Sequence, residues 1–144
     1  MHKILLFTIA LFAFLSVNAQ DEETAIRATL QNYLDGSSYS NLEQITSAFY
    51  PEADLFLSKK DQELWVLSPQ EYADLFKNRE QGKFNGRVGK ILSIDQSHNI
   101  ALAKASIEIP SRSMMFIDIF LLKKLAGEWK IISKAATLLP EQKS

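Results

Sequence analysis

The 144-residue chain has no cysteine. That removes thiol nucleophiles, thiolate metal sites and disulfides, so the fold is held by packing. Histidine is almost as scarce: His2 lies in the first segment and His98 is the single imidazole after it. A histidine-rich metal site is excluded, and Ser38, Ser40 and Ser113 have no histidine nearby in sequence to activate them. Neither sign of charge dominates. Sixteen basic and 17 acidic side chains leave a formal net charge of −1, which carries no nucleic-acid footprint. No repeat, linker or low-complexity tract interrupts the chain, which implies one domain.

What is present begins with a greasy start. Lys3 precedes an apolar run from Ile4 to Val17, and Val17-Asn18-Ala19 closes it with small residues. A basic start, a short apolar middle and an A-x-A-like end describe a secretory signal peptide over residues 1–19, cut between Ala19 and Gln20. The run is short for a span of about 20 residues, so no stable membrane span is expected after cleavage. No cysteine follows it, which excludes a lipid-modified N-terminus. The expected location is periplasmic or secreted. Residues 20–144 then form one domain, large enough to bury roughly two-thirds of its unfolded surface.

In that domain helical spacing comes first. Ile26, Leu30, Tyr33 and Leu34 fall at helical spacing, predicting a helix over Thr24–Asp35 with Gly36 as its C-cap. Ser40 and Glu43 have capping-box spacing for a second, short helix that places Leu42, Ile45 and Phe49 inside and stops at Pro51. "ADLFLSKKDQELWVLS" reads as two strands around a polar turn. Ser68, Pro69 and Glu71 start a third helix carrying Tyr72, Leu75 and Phe76. From Arg87 the period is two, giving four long strands in two hairpins that turn near His98 and Gly127, before a loose tail from Pro140. The class is α+β: three N-terminal helices packed on a curved, mostly antiparallel sheet.

One acid stands out. Asp118 has apolar neighbours on both sides in "MMFIDIFLLKK", and a lone carboxylate there is costly without a partner. Three readings fit: a proton-bearing acid in an apolar ligand pocket, a structural acid satisfied by Tyr33 or a backbone amide, and an acid on the outer sheet face at an edge or dimer interface. Tyr33 is either a pocket donor or a core aromatic with a bonded hydroxyl. Trp65 and Trp129 are candidate platforms for a ring, with core packing as the alternative. The ligand-binding candidates are therefore Tyr33, Asp118 and Trp65. No metal site or cofactor is implied.

Four stretches, "YLDGSSYSNLEQITSAFYPEADL", "SPQEYADLF", "ILSIDQSHNIALAKASIEI" and "FIDIFLLKKLAGEWKIISKA", carry a resemblance. Their order, with Tyr33 on the first helix and Asp118 in the third long strand, resembles the cone fold of the nuclear transport factor 2 superfamily. That group holds ketosteroid isomerase, scytalone dehydratase and SnoaL-like cyclases. Within it, the chain looks most like the exported bacterial family labelled "putative lumazine-binding". The resemblance implies a concavity between helices and sheet, a homodimer through the sheet, and an oxyanion hole built by Tyr33 and Asp118. It also places Leu57 where the proton-moving aspartate would stand, and leucine moves no proton. The function expected is non-catalytic binding of a small apolar or ring-containing molecule. The alternatives are an isomerase, dehydratase or cyclase that transfers a proton next to a carbonyl, or a dimeric interaction module.

Overall fold

The computed structural model describes residues 2–59 and 61–140, with side chains from residue 19 onward. Lys60 in the expected turn, the tail after Pro140, and the side chains of the leader through Asn18 lie outside the described residues.

Helix α1 (His2–Ser38) is continuous, so the helix expected from Thr24 begins earlier. Ile26, Leu30, Tyr33 and Leu34 are all buried, as their spacing requires. Gly36 does not cap it. The helix runs two residues further, and the left-handed residue beyond its end is Ser40, with φ 53°. Gly36 instead permits a close crossing, because a Cβ there would stand 2.8 Å from the backbone nitrogen of Ile45. Helix α2 (Leu42–Ser47) is capped by Asn41, whose side chain accepts from the amide of Gln44 at 3.1 Å. The cap falls one residue later than the Ser40–Glu43 spacing predicts. Phe49 and Pro51 belong to the strand that follows. Helix α3 (Pro69–Asp74) starts on the predicted Ser68–Glu71 capping box, with both bonds formed.

Six strands, β1 (Phe49–Lys59), β2 (Gln62–Leu67), β3 (Val88–Ser97), β4 (Ile100–Ile109), β5 (Met114–Leu125) and β6 (Glu128–Leu138), form one sheet in the order β2-β1-β6-β5-β4-β3. Every neighbouring pair is antiparallel except β1 and β6. The meander of the last four strands returns to lie beside β1, and β6 pairs parallel to it. The α+β class therefore holds.

On the inner face, Ala101, Ala103, Ala105 and Ile107 of β4 are buried as predicted. Helix α1 can lie close to this face because Gly89 has no side chain: a Cβ there would meet Leu34 Cδ2 at 2.7 Å. In β5, Asp118, Phe120 and Leu122 point inward, while Ile119 and Leu121 are exposed. This settles which face carries Asp118 and removes the outer-face reading.

Strand β6 carries a bulge. Leu122 pairs with Ile131, but Leu121 pairs with Ser133, leaving Ile132 as the extra residue. One added residue flips the following side chains to the other face. Trp129 and Ile131 are buried before the bulge, and Lys134 is buried after it.

Candidate ligand site on the inner face of the sheet

Five polar side chains from five segments converge on this face. Tyr33 comes from α1, Tyr72 from α3, Arg87 from the residue before β3, Asp118 from β5 and Lys134 from β6. Asp118 is flanked across the sheet by Ala105 and Ala136, whose small side chains leave room around the carboxylate. Lys134 lies between Leu55 and Phe120, both fully buried, so its stem is held in apolar surroundings while its ammonium reaches Asp118.

The geometry defines a directed chain. Lys134 Nζ lies 3.0 Å from Asp118 Oδ2, and each of the two side chains is 2% exposed. The Tyr33 hydroxyl donates to the same oxygen at 3.1 Å. With its proton committed there, Tyr33 accepts from the Tyr72 hydroxyl at 2.9 Å. Tyr72 in turn lies 3.5 Å from Arg87 Nη2, the longest link. The Lys134 ammonium also sits 5.6 Å from the centre of the Tyr33 ring and 5.3 Å from that of Tyr72, within cation–π range.

Burial above all, then the nearby Asp118 carboxylate and Tyr72, pushes the Tyr33 phenol well above its ordinary value, so it stays protonated. Burial alone would weaken the Arg87 guanidinium. The Tyr72 and Tyr33 phenols and the Asp118 carboxylate outweigh it and raise its pKa above the ordinary value.

A loop holds Arg87 in place. Asn85 donates its amide to the Ser37 carbonyl at 2.7 Å and to Ser40 Oγ at 3.1 Å, and its carbonyl oxygen accepts from the Arg87 amide at 3.1 Å. The Ser38 hydroxyl closes the frame by donating to the Arg87 carbonyl at 2.8 Å. The end of α1 thus fixes the start of β3. The guanidinium lies 5.5 Å from the Phe76 ring, and its Nε is buried without a hydrogen-bond partner.

A cavity of about 140 Å³ opens on this cluster, walled by Leu57, Ser58, Tyr72, Arg87, Phe116, Asp118, Lys134 and Ala136. Larger hollows exist, of about 550 Å³ between α1 and the β5–β6 hairpin and about 590 Å³ beside Pro110 and Leu139. Neither brings buried charged side chains together, so the chemistry belongs to the smaller one.

The predicted residues are distributed unevenly around it. Tyr33 and Asp118 do meet, but Tyr33 is wholly buried behind Tyr72 and is not part of the cavity wall. Asp118 acts as an acceptor for Lys134 and Tyr33; an ammonium at 3.0 Å leaves it no proton to donate. Trp65, on β2, lies outside the wall, with the Lys59 ammonium 4.5 Å above its ring. Leu57 does line the wall. Among the described residues, no group of three His, Asp or Glu side chains could hold a metal. Lys134, Arg87 and Tyr72 are the site residues that sequence reasoning missed. Lys134 is concealed by the bulge, Arg87 reads as a strand start and Tyr72 as a core aromatic.

Residues 21–135 match the family described as "Putative lumazine-binding". Among solved structures, the chain is similar to a nuclear transport factor 2-like protein of unknown function from Shewanella baltica, at 26% identity and a TM-score of 0.73, covering 83% of this chain and 95% of that one. A second such protein, from Methylobacillus flagellatus, is also 26% identical, with a TM-score of 0.71 and coverage of 83% and 94%. A ketosteroid isomerase-like protein from Erwinia carotovora shares the fold, with 14% identity, a TM-score of 0.60 and coverage of 81% and 95%. No curated protein matches.

Proposed function

Because the chain belongs to the "Putative lumazine-binding" family of the nuclear transport factor 2-like superfamily, we propose that it is an exported, non-catalytic domain that binds a small molecule in the cavity beside Tyr72, Arg87, Asp118 and Lys134. One observation carries this reading: a buried ion pair and two linked phenols adjoin an open cavity rather than a sealed core. Buried polar groups are expensive to assemble, and pockets with a few convergent polar groups are where ligands are oriented.

The wall argues against proton-transfer chemistry. Its one carboxylate, Asp118, is engaged by Lys134 and Tyr33, and Leu57 lines the wall where the resemblance to ketosteroid isomerase would place the proton-moving aspartate. Asp54 and Glu108, acids on neighbouring strands, are exposed and absent from this wall. The volume also bears on the ligand. About 140 Å³ is well below the roughly 300–1,000 Å³ of pockets that enclose a drug-sized molecule. The cavity therefore takes a small molecule or the polar end of a larger one, with any ring against Phe116 and Leu57 of the wall.

Export is supported by the leader pattern and by the charge that follows it. Cutting after Ala19 leaves Asp21, Glu22 and Glu23 in the first turn of the remaining helix, where acids complement the helix dipole. Protein purified from its own host and weighed by native mass spectrometry is expected to begin at Gln20 and to carry a molecule that Ala136→Leu, which fills the cavity, excludes. A chain starting at Met1 would end the export reading, and a carried molecule retained by that variant would end the pocket reading.

A further inference from the structure

We propose that the cavity ligand is a small organic monocarboxylate, its carboxylate seated on the guanidinium of Arg87 and its apolar end against Leu57, Phe116 and Ala136. This rests on the pocket reading above and deepens it.

Two cations and one anion form the cluster. Lys134 is matched by Asp118, and the tyrosines are neutral. Among the described residues, no carboxylate lies within ion-pair distance of Arg87. A buried or partly buried charge without a partner is costly. The site therefore lacks one negative charge.

It also lacks one acceptor. Arg87 Nε is the single buried side-chain nitrogen or oxygen among the described residues that has no partner. A carboxylate supplies the missing charge, and its two oxygens match the fork of a guanidinium. The Asn85 frame fixes the backbone from which that side chain extends. Charge balance selects a monoanion over a phosphate dianion. The apolar share of the wall selects an organic acid over a bare inorganic ion, and the volume limits the acid to a short chain or the carboxylate end of a longer one.

The test is calorimetric titration of the purified full-length protein with propionate, butyrate and benzoate, set against propionamide, benzamide and inorganic phosphate. The acids are expected to bind and the amides and phosphate not to. Arg87→Gln should weaken the acids by about ten- to a hundredfold, the range for losing a hydrogen bond to a charged group. Arg87→Lys, which keeps the charge but loses the fork, should fall between. Circular dichroism of each variant confirms that it is folded. Acids and amides binding equally, with Ala136→Leu abolishing both, would overturn the carboxylate and leave the pocket standing. Binding of phosphate in preference to the acids would overturn the organic class. If neither acids nor amides bind, the pocket and its proposed ligand fall together.

Discussion

Asp118 accepts from two groups whose removal has different consequences. The Tyr33 hydroxyl contributes a hydrogen bond between neutral and charged groups, so Tyr33→Phe is expected to lower stability by about 1–3 kcal/mol. Lys134 contributes a buried charge. Losing either partner alone strands the other, at about 3–5 kcal/mol. Replacing both at once with apolar residues of similar size removes the stranded charge. Urea denaturation should therefore find Asp118→Leu and Lys134→Met strongly destabilising singly, and the double variant far less destabilised than their sum. Additive single effects would mean that the two side chains do not pair in solution. At this scale Asp118 was legible in the sequence, because an acid amid Phe116, Ile117, Ile119 and Phe120 requires a partner. Tyr33 was legible as one partner, but the charged partner was not, because simple alternation from Trp129 puts Lys134 on the solvent side. The bulge at Ile132 reverses that.

Helix α1 is fastened to the β5–β6 hairpin by Glu22, which accepts from the Lys124 ammonium and, at 2.7 Å, from the Trp129 indole N–H. Thr29 adds a hydroxyl bond to the Trp129 carbonyl at 3.0 Å. The bond from Lys124, then that from Trp129, lowers the Glu22 carboxyl below its ordinary 4.5. A lowered folded-state value means that the clasp stabilises the fold above that ordinary value and is lost as pH falls through the lowered one. In a Trp65→Phe background, Trp129 emission should change with a midpoint below pH 4.5. The change should be absent in Glu22→Gln, and a midpoint above 4.5 would contradict the clasp. Helix starts set by local capping chemistry were readable to within a residue, whereas the start of α1 and the boundary between α2 and β1 were not. The Ser68–Glu71 box was local chemistry and appeared as written. The α2 cap moved from Ser40 to Asn41 because Ser40 takes the left-handed turn out of α1. Gly36 served a helix crossing instead of a helix end, since contact with Ile45 is a tertiary fact.

Across the whole molecule, the sheet has one face covered by helices and one face open. On the open face, Leu102 pairs in register with Leu121, and Leu92 and Ile119 are exposed with them. Adjoining apolar side chains on an outer face mark an interaction surface. The same strand carries Lys104 and Glu108 outward, and both are exposed. We propose a homodimer through this face. Sedimentation velocity is expected to show a dimer that Leu102→Glu converts to monomer without unfolding it. A monomeric wild-type protein at micromolar concentration would overturn the proposal. This surface is separate from the cavity, so the variant should leave ligand binding intact.

The sequence alone determined the α+β class, the order of helices and strands, the inward face of α1 and β4, and the need for a partner at Asp118. Each of these follows from local periodicity or from the cost of a charge among apolar neighbours. Tertiary structure decided what period and propensity do not encode. It placed Lys134 inside through one extra residue in β6, brought Tyr72 between Tyr33 and Arg87 from two distant segments, and left Arg87 in the wall of a cavity. Faces, registers and unpaired atoms depend on which segments meet, and that is a property of the packed chain rather than of any stretch within it.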